Sequence, residues 1–332
     1  MPPSIEIISP TNDSNFDITA GSIGTGPQMP VIRAEARILG IAPDPTPTTQ
    51  FTWTVEIKFQ TSDCQPNVRR PVTINDQFEL LSIGGNIIIA FPRVRGAQLT
   101  LTVSAVLPTG KIEAKTSGLR IRGTNPMRAD LNGALPTLTL QRIVAHESTQ
   151  RQFRADRNGG IGNCPLMSAD RAGGVGLFQI TNPPPTEDEH WDWLANIRRG
   201  IAVFNEKQRI ARNYPAQVRR SQGFADLVRR YNLANPPTAD SPTISVDILP
   251  DFDANQLELD SIRGYNGWAG RDLFRLPLHE FKVPVDSDGN LVVNTDPTTG
   301  IRSIVWERVP AADRPQNIGD PDYVNHVLAQ TP

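Results

Sequence analysis

Alternating polar and apolar side chains in residues 50–59 limit the fold of this chain more than any other feature of its sequence. Thr52, Thr54 and Glu56 alternate with Trp53, Val55 and Ile57. This period of two is typical of a strand that buries one face. Similar segments rich in β-forming residues occupy 5–9, 31–39, 77–81, 86–91, 97–107 and 112–121. We therefore predict an antiparallel β-sandwich over residues 1–125, with Trp53 in its core; stacking of Trp53 on a sugar is the less favoured alternative.

A chain of 332 residues has the length of about two domains. Gly, Asn and Pro interrupt the strand and helix patterns at 123–136, so we predict a second, mainly α domain over 131–332. The net charge of −2 gives no overall field that would attract nucleic acid or a membrane surface. No apolar run is long enough to span a membrane. Cys64 and Cys164 fall in different predicted domains, so we expect free thiols.

A carboxylate lies on the apolar face of the helix that we predict at 137–153, where Thr137 supplies a cap. Leu140, Ile143, Val144 and Glu147 share that face at helical spacing. A carboxyl group held partly out of water keeps its proton at higher pH, as a general acid must. The alternative is an ordinary Glu147 paired with Arg151 one turn later. A zinc-protease motif is excluded, because position 150 is Gln where the second His is required.

Four motifs, in this order, resemble the lysozyme-like lytic transglycosylase domain. They are Glu147-Ser148, the glycine-rich run from Gly174 to Ile180, Tyr265-Asn266-Gly267 and the run from Tyr323 to Leu328. The run from Asp170 to Gln179 is also similar to goose-type lysozyme, a relative with the same core. The resemblance covers residues 131–332 and does not extend to the predicted β-sandwich.

The resemblance implies an enzyme that cleaves the β-1,4 bond between N-acetylmuramic acid and N-acetylglucosamine in the glycan strands of peptidoglycan. Glu147 would protonate the leaving oxygen and then act as a base on the 6-hydroxyl of the sugar, which closes a 1,6-anhydro ring. No metal or cofactor is implied.

The resemblance also assigns a set of substrate-binding residues. They are Ser148, Gly176, Leu177, Phe178, Gln179, Tyr265 and Asn266. Gln179 would lie near the acetamido group of the sugar, with Leu177 and Phe178 packed beneath the site. Tyr265 would hydrogen-bond near the catalytic carboxylate. Phe178 stands where the family more often has Met, and the spacer before Gln179 has a length closer to that of goose-type lysozymes.

Asp170 leaves two reactions possible, the closing of the anhydro ring described above and hydrolysis. Goose-type lysozymes carry an Asp at the matching position, and a second carboxylate set back from the acid positions a water in inverting glycosidases. The chain would then be a muramidase that hydrolyses the bond. Equally, Asp170 caps a turn in a glycine-rich loop. A third hypothesis, from another class, is a non-catalytic glycan-binding component of a phage tail or injection machine.

The remaining patterns predict further elements. Residues 186–212 form an amphipathic helix whose Trp191 and Trp193 either pack on other helices or stack on sugar. Asn196 and Gly200 on this helix fit the resemblance. Residues 281–293 predict a β-hairpin insertion, followed by a strand at 301–309. Basic residues between 198 and 230 form either a surface for anionic wall polymer or a solvated helix face.

The predicted β-sandwich looks immunoglobulin-like, and we expect it to act as a spacer, a docking module or a wall-binding module. Residues 1–16 lack the basic start and apolar core of a secretory signal. We therefore expect delivery to the cell wall or periplasm by a phage or a specialised secretion route, with the first domain as the contact to the delivery machine.

Overall fold

A computed structural model describes residues 2–154, 161–238, 242–266, 279–314 and 319–332. The chain forms two compact units, Met1–Gly200 together with Pro332, and Ile201–Thr331. The boundary between the units falls inside one long helix.

β-Strands make up the amino-terminal part of the first unit. In chain order they are β1 (Ser4–Ser9), β2 (Asn15–Asp17), β3 (Ile32–Leu39), β4 (Gln50–Gln60), β5 (Thr73–Ile83), β6 (Asn86–Ile89), β7 (Ala97–Leu107), β8 (Gly110–Lys115) and β9 (Leu119–Thr124). Each predicted strand segment is confirmed, although the last one divides into β8 and β9. The strand β2 was not predicted.

Two sheets are built from these strands. β1, β3 and β6 form a three-stranded antiparallel sheet, and β9, β7, β4 and β5 are neighbours in a larger one. In the larger sheet β8 pairs with β7, and β2 runs parallel to β9. Side chains from both sheets share one hydrophobic core. The predicted β-rich first third is therefore confirmed as two sheets packed on a common core.

The central strand β4 carries the alternation that predicted it. It pairs with β5 along its whole length, from Gln50 opposite Ile83 to Gln60 opposite Thr73, and with β7 on its other edge. Trp53 is fully buried, and its indole Nε1 donates a hydrogen bond to Ser82 Oγ at 3.1 Å. The prediction of Trp53 as a core residue is confirmed, and a sugar has no access to its ring.

Helices and short strands complete the first unit. They are α1 (Thr61–Cys64), α2 (Arg128–Ala134), α3 (Leu138–Ser148), β10 (Phe153–Arg154), β11 (Ile161–Gly162), β12 (Cys164–Pro165), α4 (Glu187–Trp191) and the start of α5 (Trp193–Arg220). The change from strands to helices after β9 falls where the sequence predicted it. β11 then returns to pair with β9 and adds a strand to the larger sheet.

The helix predicted at 186–212 is two helices. Thr186 and Glu189 form a capping box at the start of α4, and α5 begins anew after Asp192, whose Oδ1 accepts hydrogen bonds from the first amides of α5. Trp191 and Trp193 are both fully buried. Trp191 packs on Phe59 of β4 at 5.4 Å between ring centroids. Neither tryptophan stacks on sugar, so that alternative is wrong for both.

The expectation of free thiols is wrong. Cys64 and Cys164 form a disulfide across a sequence separation of 100 residues. They were assigned to separate domains, but the pairing of β11 with β9 brings the later segment back to the sheets. Gln65 adds a hydrogen bond from its Nε2 to Ser168 O at 2.8 Å.

The second unit contains the rest of α5 and mainly helical segments joined by short strands. Its further elements are α6 (Gln222–Ala234), α7 (Ala254–Tyr265), β13 (Phe281–Lys282), β14 (Asn294–Thr295), β15 (Arg302–Ser303), β16 (Glu307–Arg308) and α8 (Tyr323–Leu328). Asp253 caps α7 as predicted and forms a capping box with Gln256. None of the helices in the described ranges is long and apolar enough to cross a membrane.

The hairpin predicted at 281–293 requires correction. A turn at Asp286 is present, with Asp286 N donating to Asn290 O at 2.9 Å, but only the isolated bridge between Val285 and Leu291 joins its two arms. The strands pair with later segments instead, β13 with β16 and β14 with β15. The single strand predicted at 301–309 is therefore divided between two pairs.

We expect the disulfide to stabilise the first unit. Replacing both cysteines by serine in the Cys64→Ser/Cys164→Ser variant should lower the free energy of unfolding by about 2–5 kcal/mol, because a long closed loop restricts the unfolded chain. Urea unfolding followed by tryptophan fluorescence measures this difference. Wild-type protein unfolded under reducing conditions is the control and should match the double variant. An unchanged midpoint in the variant would show that the bond contributes nothing to stability.

Candidate functional site

The helix that carries Glu147 begins as the sequence predicts. Thr137 is its cap, with Oγ1 accepting a hydrogen bond from Leu140 N at 3.3 Å. Leu140, Ile143 and Val144 are buried, and Glu147 is half-buried in the last turn. Glu147 thus lies on the same face of the helix as these apolar residues, at its carboxyl-terminal end.

The helix ends five residues earlier than predicted. Its last residue is Ser148, and Thr149 and Gln150 follow with positive φ angles of 50° and 62°. Arg151 therefore lies beyond the helix and shares no helical face with Glu147, so the alternative of an i, i+4 pair does not apply. Phe153, predicted to be helical, begins the strand β10.

Ser148, a predicted substrate-binding residue, is buried. Its Oγ donates a hydrogen bond to Val144 O one turn back, at 2.9 Å. The hydroxyl group is therefore used within the helix, which places Ser148 behind the end of α3 as a support rather than as a surface contact.

Two buried amide side chains hold the glycine-rich loop at 174–180. Gln152 Oε1 accepts a hydrogen bond from Leu177 N at 3.3 Å, while its Nε2 donates to the carbonyl oxygens of Glu189 and His190 at 3.0 and 3.1 Å. Asn196 of α5 acts in parallel. Its Oδ1 accepts from Phe178 N at 3.1 Å and its Nδ2 donates to Val175 O at 3.0 Å.

Gly176 is required where these amides meet the loop. Its φ angle is +71°, and an added Cβ would lie 2.4 Å from Gln152 Oε1 and 2.7 Å from Asn196 Nδ2. Leu177 and Phe178 are fully buried. Phe178 packs over Gly200 of α5, where an added Cβ would lie 2.1 Å from the ring. The small residue at 200 therefore allows helix and loop to approach closely.

Gln179 is half-buried and has a positive φ angle of 49°. Its Nε2 donates to Gly176 O at 2.6 Å and to Leu166 O at 3.3 Å. The amide group is thus oriented by its own loop. Within the described residues no hydrogen bond reaches its Oε1, which leaves that oxygen as the acceptor that a ligand could use.

Asp170 is exposed and forms a turn. Its Oδ1 accepts a hydrogen bond from Ala172 N at 2.9 Å, and Arg171 between them has a φ angle of 60°. The turn interpretation of Asp170 is therefore seen directly.

Tyr265 and Asn266 belong to the second unit. Tyr265 is the last residue of α7 and is half-buried. Asn266 Nδ2 donates to Asp320 O at 2.6 Å, next to the hydrogen bond from Arg263 Nη1 to the same oxygen at 2.7 Å. The amide of Asn266 therefore holds the segment before α8. Gly267, the third residue of this motif, lies outside the described residues.

Gln152 and its partner Asn125 were not predicted from the sequence. Asn125 Oδ1 accepts from the backbone amides of both Gln152 and Phe153 at 2.8 Å. A single Gln after a helix and a single Asn after a strand are ordinary loop residues in sequence. Only the fold shows that both are part of the network that joins α3 to the glycine-rich loop.

His190 belongs to this network because its carbonyl oxygen accepts a hydrogen bond from Gln152 Nε2. The ring is fully buried, and Nδ1 donates to Thr186 O at 2.8 Å. Burial lowers the pKa of His190, and the positive charge of Arg95 lowers it further. The imidazole is therefore neutral in the folded protein at neutral pH.

No three His, Cys, Asp or Glu side chains are grouped so as to hold a metal ion in the part of the chain that the structure describes. Comparison with family models, curated proteins and solved structures found no match to this chain.

We expect Gln152 to be essential to the loop. In Gln152→Met the side chain keeps its length but loses its hydrogen bonds, so Leu177 N and the His190 carbonyl remain buried without partners. The free energy of unfolding should fall by about 2–4 kcal/mol, since each unsatisfied buried group costs about 1–3 kcal/mol. Urea unfolding measures the change. Gln150→Met, two residues earlier, is the matched control and should change stability little; equal losses would contradict the assignment.

The buried His190 makes stability depend on pH. Its folded pKa lies below the value of about 6.5 in the unfolded chain, so between the two values the unfolded state binds more protons and stability falls as the pH falls. Wild type should therefore lose stability below about pH 6.5 more steeply than His190→Gln, by at most about 1.4 kcal/mol per pH unit. Unfolding midpoints from pH 4.5 to 8 measure both slopes, and parallel slopes would contradict the prediction.

Proposed function

We propose that this protein is a peptidoglycan-cleaving lytic transglycosylase with Glu147 as its catalytic residue. The observation that carries the proposal is the link through Gln152. This residue follows Glu147 by five positions and hydrogen-bonds the glycine-rich loop at Leu177 N. Gln152 thereby joins the segment that follows α3 to the loop at 174–180, and α3 and this loop carry two of the four motifs of the resemblance.

The half-buried position of Glu147 supports its role as a general acid. In the proposed reaction the protonated carboxyl group gives its proton to the glycosidic oxygen as the bond to C1 of N-acetylmuramic acid breaks. The acetamido group of the sugar assists this departure. The carboxylate then takes the proton of the 6-hydroxyl, whose oxygen bonds to C1 and closes the 1,6-anhydro ring. The net reaction consumes no water.

The exposure and the hydrogen bonding of Asp170 favour this lyase route over hydrolysis. An inverting hydrolase needs a second carboxylate about 6.5–9.5 Å from the acid to activate a water. Asp170 is exposed and already accepts the hydrogen bond of its own turn. The lyase route needs only Glu147.

The fold and the disulfide are consistent with this proposal. We interpret the two amino-terminal sheets as an immunoglobulin-like docking or wall-binding module, and the segments from α2 onward as a lysozyme-like domain. A disulfide persists in oxidising surroundings outside the cytoplasm, which supports action at the cell wall. Delivery by a phage or a specialised secretion route belongs to the same proposal.

A glycan-binding component without activity is the alternative from a different class. Such a protein would need no acid. The presence of Glu147 together with Gln179 and Tyr265 supports an enzyme instead, since three polar positions of the resembled site are occupied by the expected residue types.

Mass spectrometry of fragments released from purified peptidoglycan tests the proposal. Wild type should release fragments whose muramic acid ends are lighter by one water than reducing ends. Glu147→Gln removes the proton donor and should lower the rate by about 10²–10⁴-fold or more. Glu113→Gln, which changes an exposed carboxylate of β8, is the matched control and should retain full activity.

The same assay distinguishes the alternatives. Reducing ends whose release is lost in Asp170→Asn would replace the lyase by a hydrolase. Unchanged activity in Glu147→Gln would refute the assignment of the catalytic residue. Binding to peptidoglycan without any released fragment would favour the structural component.

A further inference from the structure

The glycine-rich loop is supported by residues 164–168, which we call the backing segment. Gly176 N donates a hydrogen bond to Leu166 O at 2.8 Å, and Ser168 N donates to Gly174 O at 2.9 Å. Ser168 Oγ also accepts from Gly174 N at 3.1 Å. The conformation of the loop therefore depends on where the backing segment is held.

Residues that follow α3 hold the backing segment from one side. Cys164 and Pro165 form β12, which pairs with β10, and Leu166 N donates to Gln152 O at 2.9 Å. These contacts join backbone groups and do not depend on the disulfide. They keep one edge of the backing segment in place in either state of the cysteines.

The chain between β4 and β5 holds the backing segment from the other side. We call this stretch, residues 61–72, the β4–β5 connection. Its Cys64 forms the disulfide with Cys164, and Gln65 Nε2 donates to Ser168 O at 2.8 Å. The amino-terminal sheets therefore contribute directly to the position of the glycine-rich loop.

The disulfide is the strongest contact between the β4–β5 connection and this region. The other polar contacts in the described part of the chain are hydrogen bonds, the one from Gln65 and one from Arg69 N to Arg171 O at 2.9 Å. A hydrogen bond contributes little net stability because water competes for both of its groups, whereas water cannot displace a covalent bond. Without the disulfide this side of the backing segment is only weakly held.

The β4–β5 connection is a firm anchor because its two ends are joined. Thr61 N donates to Val72 O at 3.0 Å, and Thr61 Oγ1 accepts from Val72 N at 2.9 Å. Thr61 is buried, and the strands that enter and leave the connection pair with each other along their whole length. A segment bonded to the connection is thus fixed relative to the larger sheet.

Gln179 links the backing segment to the proposed site. Its Nε2 donates to Gly176 O of the loop at 2.6 Å and to Leu166 O of the backing segment at 3.3 Å. Both segments therefore orient the amide that we propose to bind the sugar. A misplacement of about 1 Å can cost an enzyme about 100-fold in rate, so a loosened backing segment lowers activity without any change at Glu147.

A reductant can reach this disulfide. Cys64 and Cys164 are both half-buried, and their neighbours Asp63 and Asn163 are exposed. A dithiol attacks one sulfur atom, forms a mixed disulfide with it and then closes its own disulfide. Two electrons and two protons pass from the dithiol to the protein, which is left with two thiols. Glutathione disulfide reverses the reaction and is itself reduced to two thiols.

We propose that the disulfide between Cys64 and Cys164 is a redox switch that controls the glycine-rich loop. In the oxidised protein the backing segment is fixed from both sides. In the reduced protein the β4–β5 connection holds it only through hydrogen bonds, and the loop loses order while the sheets stay folded. The consequence for activity rests on the proposed function: the reduced form is the less active one, and full activity requires an oxidising compartment.

Hydrogen–deuterium exchange of the full chain, measured by mass spectrometry, tests the control of the loop without reference to activity. Reduction of wild type with dithiothreitol should raise the exchange rate of the amides at 174–178 by about tenfold or more, because the loop opens locally. The amides of β4 should remain protected, because the sheets stay folded. The Cys64→Ser/Cys164→Ser variant should exchange like reduced wild type, and dithiothreitol should not change it further.

Fragment release from purified peptidoglycan tests the consequence for activity. Reduced wild type and the double serine variant should release fragments about tenfold or more slowly than oxidised wild type. Re-oxidation with glutathione disulfide should restore wild type and leave the variant unchanged, which separates a switch from irreversible loss of the fold. Gln65→Met removes a hydrogen bond to the same segment but keeps the disulfide, so it should lose less activity and should still respond to dithiothreitol.

Three results would overturn the switch. Failure of dithiothreitol to produce alkylatable thiols in the folded protein would make the disulfide a structural bond only. Loop exchange unchanged by reduction would show that the backing segment does not need the bond. Amides of β4 that exchange as fast as those of the loop would show unfolding of the whole unit.

The two measurements keep the switch and the proposed function apart. If the loop responds to reduction but the oxidised protein releases no fragments, the proposed function fails and the control of the loop stands. If both forms release fragments equally fast, the proposed function stands and the control of activity is refuted.

Discussion

The arrangement of the first unit depends on one buried amide side chain. Gln152 accepts from the glycine-rich loop and donates to two carbonyl oxygens at the end of α4. The loop and α4 therefore meet at a single fully buried side chain, which lies four residues beyond the end of the helix of Glu147. An amide suits this position because one end accepts and the other donates. An apolar residue of the same size would leave Leu177 N of the loop and His190 O of α4 without these hydrogen bonds.

The buried side chain of Arg95 connects β5 to α4 through ion pairs. Arg95 is only 2% exposed at the side chain and pairs with Asp76 of β5 at 2.9 Å and with Asp188 of α4 at 2.7 Å. Trp191 packs between β4 and β10 beside it. Hydrogen bonds, an ion pair and ring packing thus fix α4 from different sides, and α4 in turn supplies the carbonyl groups that hold Gln152.

Local signals in the sequence were sufficient for the long strands of the first unit and for the starts of two helices. The alternation around Trp53 predicted β4 because a period of two has only one structural meaning, and Thr137 and Asp253 predicted helix starts because a capping side chain acts within three residues. The glycine-rich loop was identified through its resemblance to a family motif, and the φ angle of +71° at Gly176 gives the reason for glycine there.

The features that could not be predicted from the sequence depend on contacts between residues far apart in the chain. The end of α3 was missed because no glycine or proline marks it in the sequence. Thr149 and Gln150 end the helix with positive φ angles, and Phe153 packs on Trp191 as a strand residue. The disulfide depends on the return of the chain to the larger sheet, where β11 pairs with β9, and the part played by Gln152 depends on residues 177, 189 and 190. That pairing has a sequence signal of only two residues.

The disulfide changes what a single cut in the backbone means for this protein. Every peptide bond between Cys64 and Cys164 lies inside a covalent ring that also encloses α3 and Glu147. A protease that nicks one loop of this ring leaves both pieces attached to each other, and the sheets hold them in register. Glu147 would thus remain covalently attached to the rest of its unit after such a cut.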